Sequence, residues 1–270
     1  RSGKLFADET TAPVLDPGRG RTKTGQLWAY ARDDRPWGGS DPPIVAYVYA
    51  PDRKAERPHA HLGDFAGILQ VDGYGGYTAL ARRRQQIRLA FCWAHVRRKF
   101  YDLADTSPVS TEALRRIALL YAIEDDVRGS SAERRRAVRA ERSRAIVDDL
   151  HQYLVARGRQ VSAKSKLGEA IRYALTRWDG LVRFLDDGRI DLDSNTVERS
   201  IRPLALNRKN ALFAGSDEGG DNWAVIATLI ECCKLGAINP HAWLTDTLTS
   251  LANGHPIQSV GDLMPWFDVA

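Results

Sequence analysis

The sequence predicts an α+β fold, with short strands in the first hundred residues and helices after them. Three observations carry the prediction: apolar runs of strand length, loops rich in Gly and Pro between them, and a change to helical spacing near residue 102. The strand runs are "KLFADET", "GQLWAYARDD", "PIVAYVYAPD", "AGILQVDGYGGY" and "IRLAFCW", so five strands are the simplest count. "LDPGRGRTKTG" and "DRPWGGSDPP" connect the first three as hairpin loops, which predicts an opening antiparallel meander. A short helix is expected to fill Arg53 to Asp64. Beyond it Leu114, Ile117, Ala118 and Tyr121, then Ile146, Leu150, Tyr153 and Leu154, then Ile171, Ala174, Leu175, Trp178, Val182 and Leu185 recur at helical spacing. A helix starts after Asp193, the loop "LFAGSDEGGDN" follows, and "WAVIATLIECCKLG" and "PHAWLTDTLTSLANG" close the chain as helices. The expected divisions are residues 1–101, a helical insertion over 102–190, 191–236, and a helical tail over 237–270.

With 270 residues, 43% of them hydrophobic, the chain is long enough for one large core or two smaller ones. The net charge is +5, which favours a polyanionic partner. Arg82, Arg83, Arg84, Arg88, Arg97, Arg98 and Lys99 fall in a stretch without an acid, and "ERRRAVRAERSR" is a second basic run. Solvated helix faces are the plain alternative for each. Cys92, Cys232 and Cys233 are spaced unlike a disulfide framework, which points to a reducing compartment, the cytosol by default. No apolar stretch approaches the ~20 residues that span a bilayer. The first residues contain neither a signal-type apolar region nor a starting Met, so the chain is expected to be a piece of something longer.

The acids are the candidate chemistry. Asp8 follows "KLF" and Asp72 follows "GILQV", so each is expected where a buried strand emerges. Like charges brought together raise one another's pKa unless a cation neutralises them, so clustered acids in a basic protein suggest Mg²⁺ or Mn²⁺. Two such ions ~3.5–4 Å apart activate a nucleophile and stabilise a leaving oxygen in phosphoryl transfer. Each acid also has a structural reading: Asp72 as a turn residue before Gly73, Asp8 as a local hydrogen-bond acceptor, and Glu198 as the acid of a capping box opened by Asn195. On the other reading Glu198 faces the same cleft, Asp193 caps the helix, and Arg199 and Arg202 meet phosphates.

The blocks "ADETTAPVLDPGRGRTKTGQLWAY", "LQVDGYGGY", "CWAHVRRKF", "DSNTVERSIRPLALNRKNALFAGSDEGG" and "INPHAWLTDTLTSLANGHP" resemble, in order and over nearly the whole chain, the insertion sequence 66 family of bacterial transposases. The resemblance implies an RNase H-like core, a mixed five-stranded sheet with flanking helices, interrupted by the helical insertion and followed by a helical C-terminal end. It implies an Asp-Asp-Glu site of Asp8, Asp72 and Glu198 holding a pair of Mg²⁺ or Mn²⁺ ions. Family members commonly read Asp-Asn-Asn where this chain has Asp193, Ser194 and Asn195, which leaves the local cap open.

The implied reaction is cleavage at the element's ends and transfer of the freed 3′-hydroxyl to target DNA. Implied partners are the terminal inverted repeats, target DNA, further copies of the chain and element-encoded accessory proteins, in the cytoplasm at the nucleoid and with no membrane. Arg199, Arg202, Arg208 and Lys209 are the candidate phosphate contacts, and the basic runs at 82–88 and 97–99, with Arg97, Arg98 and Lys99, are expected to bind the DNA backbone more widely. Trp93 and Tyr74 are expected in core packing rather than stacked on a base. Cys92 and His95 form a Cys-x-x-His pair that supplies only two of the four ligands of a structural zinc, so an accessory role is expected for it. Two rival readings remain: a nuclease of the same fold that hydrolyses without strand transfer, and a catalytically decayed DNA-binding protein.

Overall fold

The structure is a computed structural model that describes residues 2–266. Five strands form a mixed sheet: β1 (Lys4–Asp16), β2 (Arg21–Arg32), β3 (Ile44–Ala50), β4 (Gly67–Val71) and β5 (Ile87–Phe91), ordered β3-β2-β1-β4-β5. β1 to β3 run antiparallel as the sequence predicts, and β4 and β5 are parallel. The first hairpin is longer than its loop chemistry suggested. "LDPGRGRTKTG" is mostly strand, with only Pro17 to Gly20 left as the turn. Ala12 and Val14 alternate inward beyond the expected strand end, and Gly18 and Gly20, both at positive φ, close the turn tightly.

Helices α1 (Glu56–His61), α2 (Gly75–Arg83) and α3 (Trp93–Tyr101) are interleaved with the strands. Then come α4 (Pro108–Val127), α5 (Ala132–Val138), α6 (Arg144–Gly158), α7 (Lys166–Leu175) and α8 (Trp178–Leu181). The chain ends in α9 (Asn195–Ala211), α10 (Asp217–Leu235) and α11 (Pro240–Ala252). Several starts are written locally. Ser107, Ser131, Ser165 and Ser216 each accept an amide three residues on, and Ser107 and Asn239 are followed by the prolines that suit a first helical position.

The chain divides into two compact units. One comprises residues 2–5, 34–40 and 64–195. Its core joins Ile68 and Ala90 of the parallel strands to Trp93, Val96 and Phe100 of α3, Ile117 and Leu120 of α4, and Leu150 and Leu154 of α6. Within it a buried ionic cluster holds the helical segment. Arg139, fully buried in a π-helical turn between α5 and α6, donates to both oxygens of Glu124 at 2.7 and 2.6 Å. Arg135 bridges Glu124 and Asp191, and Asp191 also receives Lys4 at 2.9 Å. Burial alone would raise the Asp191 carboxyl, but the Lys4 and Arg135 charges outweigh it and hold it below the ordinary range.

The other unit comprises residues 6–33, 41–63 and 196–266. One face of β1–β3 packs against α9 and α10 through Phe6, Ala12, Val14, Leu27 and Tyr47 on the sheet and Val197, Ile201, Leu204 and Ala224 on the helices. On the opposite face Trp28 and Tyr30 meet the edge of His61 from α1. α11 contains no buried residue. The last four residues of the expected C-terminal tail lie outside the described residues.

Candidate active site

Asp8 lies in the middle of β1, not at a strand end as its position after "KLF" suggested, because the β-branched pair Thr10 and Thr11 continues the strand. Side chains directly opposite one another share a sheet face. Asp8 is opposite Ala29, and Ala29 is opposite Tyr47. The row Asp8–Ala29–Tyr47 therefore belongs to the face that α9 covers, and the Tyr47 hydroxyl donates to the Ser200 carbonyl of that helix at 2.6 Å. Asp8, half-buried, accepts the Glu9 amide at 2.8 Å. Glu9 points to the other face and receives Arg53.

Glu198 sits half-buried in the first turn of α9, beside the buried stripe of Val197, Ile201 and Leu204. The start of this helix is held by Asp193, whose carboxylate accepts the Asn195 backbone amide at 3.1 Å and its side-chain amide at 2.7 Å. Pro203 stands inside α9, where it removes an amide donor and its ring crowds the carbonyl of Arg199. Of the cations expected on this helix, Arg199, Arg202 and Lys209 are exposed. Arg208 is half-buried and folds onto β1, donating to the Thr11 carbonyl at 2.7 Å.

In the other unit Asp72 follows β4 directly, and Cys92 follows β5. The parallel register pairs Val71 with Phe91, so Asp72 and Cys92 occupy equivalent positions past the carboxyl ends of neighbouring strands, where open α/β sheets place their ligand sites. The Asp72 carboxylate accepts the Tyr74 amide at 2.9 Å, and Gly73 takes a φ of 112° that a residue with a Cβ adopts only under strain. This turn is braced by two side chains that sequence reasoning did not single out. Tyr173 of α7 donates its hydroxyl to the Asp72 carbonyl at 2.5 Å. Arg177 donates to the Gly73 carbonyl at 3.2 Å and lies 4.0 Å over the Tyr173 ring. Lys99 approaches the same ring at 4.6 Å. Burial, opposed by Arg177 and reinforced by Asp72 and Cys92, pushes the Tyr173 phenol up to about 12, so it remains a neutral donor. The available signal was the i, i+4 spacing of Tyr173 and Arg177 in a run of helical period, although Arg177 itself lies in the turn between α7 and α8.

Arg97, Arg98 and Lys99 are exposed on α3. Trp93 is fully buried and donates its indole N–H to the Leu181 carbonyl at 2.9 Å, which settles it as a core residue. Tyr74 packs edge-on against Tyr77. Cys92 is buried and its sulfur accepts the Ser194 amide at 3.3 Å, while His95 lies one turn on in α3. Asp8, Asp72 and Glu198 each offer carboxylate oxygens, the kind of ligand that a hard divalent cation such as Mg²⁺ or Mn²⁺ prefers.

Residues 1–222 match the model of the transposase IS66 family, and residues 228–266 match the IS66 C-terminal element. The chain belongs to the IS66 transposase family. Similar curated proteins come from Sinorhizobium fredii (strain NBRC 101917 / NGR234). The uncharacterized protein y4qI is 51% identical over 97% of this chain and 50% of its own length. The uncharacterized protein y4jD is 46% identical over 97% of this chain and 53% of its own length. The chain thus spans about half the length of these relatives. The family match includes all three acids, and the separate C-terminal match covers the end of α10 and all of α11. Among the described residues no helix is long and apolar enough to cross a membrane.

Proposed function

We propose that this chain is the catalytic portion of a DNA transposase in which Asp8, Asp72 and Glu198 hold divalent cations. The observation that carries the proposal is that the match to a transposase family runs over residues 1–222 and so includes the three acids. Their settings support it. Asp8 belongs to the sheet face that the helix of Glu198 covers, and Asp72 stands past a parallel strand on a turn braced by Tyr173 and Arg177.

Bound Mg²⁺ or Mn²⁺ would polarise the phosphoryl oxygen and lower the pKa of an attacking water or 3′-hydroxyl. The chain's own part is to present three carboxylates, to fix the Asp72 backbone, and to meet DNA phosphates with Arg199, Arg202 and the α3 cations. An in-line displacement of this kind needs no covalent nucleophile from the protein. Cleavage at the terminal repeats followed by joining to target DNA is the reaction proposed. Because two ends are joined, assembly of more than one copy on DNA belongs to the same reading.

The test is Asp72→Asn. Mn²⁺-dependent cleavage of DNA carrying an element end should be lost, while affinity for that DNA holds or rises because a charge that repels phosphate is gone. Unchanged cleavage in this variant would sink the assignment, and cleavage without joined products in the parent protein would reduce it to a nuclease.

A further inference from the structure

We propose that a groove along β5 takes the sugar-phosphate backbone of a DNA strand and leads it to the Asp72 turn. This binding site is separate from the cations of α3 and α9, and the inference deepens the transposase reading on which it rests. The groove encloses about 540 Å³ between α2, β5 and the α7–α8 junction. Arg82, Arg88, Arg177 and Arg183 line it, against the single acid Asp179.

Two of these guanidinium groups are held in place before any ligand arrives. Arg183 donates to the Leu89 carbonyl of β5 at 2.9 Å. Arg177 is fixed by the Gly73 carbonyl and the Tyr173 ring, and an added Cβ on Gly73 would come within 2.5 Å of its Nε. A guanidinium fixed in this way meets a phosphate oxygen with little further loss of side-chain freedom. Arg82 and Arg88 are exposed at the rim. A small anion would neutralise one or two of the four, whereas cations spread along a groove complement a chain of phosphates. The floor of Ala81, Leu89 and Phe91 is apolar and suits the sugar and base faces between phosphates. β5 is the last strand of the sheet order, so among the described residues no further strand pairs with this edge. Arg177 belongs both to the groove and to the brace on Asp72, so a backbone lying here runs beside that carboxylate's turn.

The experiment measures binding of a fluorescein-labelled DNA duplex of arbitrary sequence by anisotropy, from about 50 to 200 mM KCl. The double variant Arg82→Ala/Arg88→Ala should lower the slope of log K against log salt by roughly 2, at about 0.9 per phosphate contact. Arg159→Ala/Lys164→Ala, exposed cations elsewhere in the same unit, should leave the slope unchanged. An unchanged slope in the first variant, or an equal loss in the second, overturns the groove. Because the readout is binding alone, it stays informative if Asp72→Asn retains cleavage. That result would remove the catalytic reading and leave this one to be judged by its own slope.

Discussion

The Tyr47 hydroxyl donates to the Ser200 carbonyl at 2.6 Å and so pins the helix of Glu198 to the sheet face that carries Asp8. Burial, with Glu231 nearby, pushes the Tyr47 phenol above the ordinary tyrosine range, so it remains a donor. Tyr47→Phe keeps the ring packing and removes the hydrogen bond, which should cost about 1 kcal/mol in urea denaturation. The larger effect is expected on chemistry. Single-turnover cleavage in Mn²⁺ should fall by more than the lost stability explains, because α9 loses its tether two residues from Glu198. A variant that loses stability but cleaves at the parental rate would show that the tether only supports the fold.

Arg139 and Glu124 form the centre of the ionic cluster that holds the helical segment between β5 and α9. Removing one partner of a buried pair leaves the other charged and unsolvated, so Glu124→Ala should destabilise by about 3–5 kcal/mol in chemical denaturation. Glu124→Gln keeps the shape and part of the hydrogen bonding and should cost less. A loss below about 1 kcal/mol for the alanine variant would place the pair in the range of exposed salt bridges.

That cluster also marks where sequence reading stops. The five strands, the opening meander and the switch to helices are legible because they rest on local periods and turn residues. Glu124, Arg135 and Arg139 are not legible, since a buried charge looks like an exposed one until its partners, 11 to 56 residues away, are known. The first hairpin outruns its loop chemistry for a related reason: Gly- and Pro-rich sequence signals a turn but not where pairing ends. At the candidate site the acids were found as types in motifs. The brace by Tyr173 and Arg177 was hidden because it joins α7 to a turn about a hundred positions earlier in the chain.

His61 gives the fold a pH dependence. Burial, and then the Arg57 charge, depress its imidazole from 6.5 to about 4, with Nδ1 3.0 Å from the Tyr30 hydroxyl. Below pH 6.5 the unfolded chain takes up a proton that the folded chain refuses, so the contribution is full above 6.5 and is lost as pH falls toward 4. Because the ring is only half-buried, the effect should be on the order of 1 kcal/mol. Urea midpoints at about pH 7.5 and about pH 5 should differ more in the parent than in His61→Gln. Equal differences would assign the acid sensitivity elsewhere.

Arg199 and Arg202 are exposed, three residues apart on α9. If both meet phosphates, Arg199→Ala/Arg202→Ala should weaken binding to all DNA sequences about equally and lower the salt slope by roughly 2. The same change should leave the urea midpoint within about 0.5 kcal/mol of the parent, as for other surface substitutions. A loss confined to one sequence would instead mean that these arginines read bases.

Gly73 offers the most economical test of the Asp72 turn. Its φ of 112° strains any residue with a Cβ, and the added atom would lie 2.5 Å from Arg177 Nε. Gly73→Ala must therefore either distort the backbone that follows Asp72 or expel Arg177 from its place against Tyr173. The strain alone should cost about 1–3 kcal/mol. Gly75, two residues on, begins α2 and has nothing within 4 Å of an added Cβ, so Gly75→Ala should be neutral or stabilise by up to about 1 kcal/mol. The pair separates the turn from general damage to the loop. Cleavage should fall sharply in Gly73→Ala, with a higher Mn²⁺ concentration needed for half-maximal rate, while Gly75→Ala keeps the parental metal dependence. Parental metal dependence in both variants would mean that the carboxylate of Asp72 does its work without the backbone geometry that Tyr173 and Arg177 hold in place.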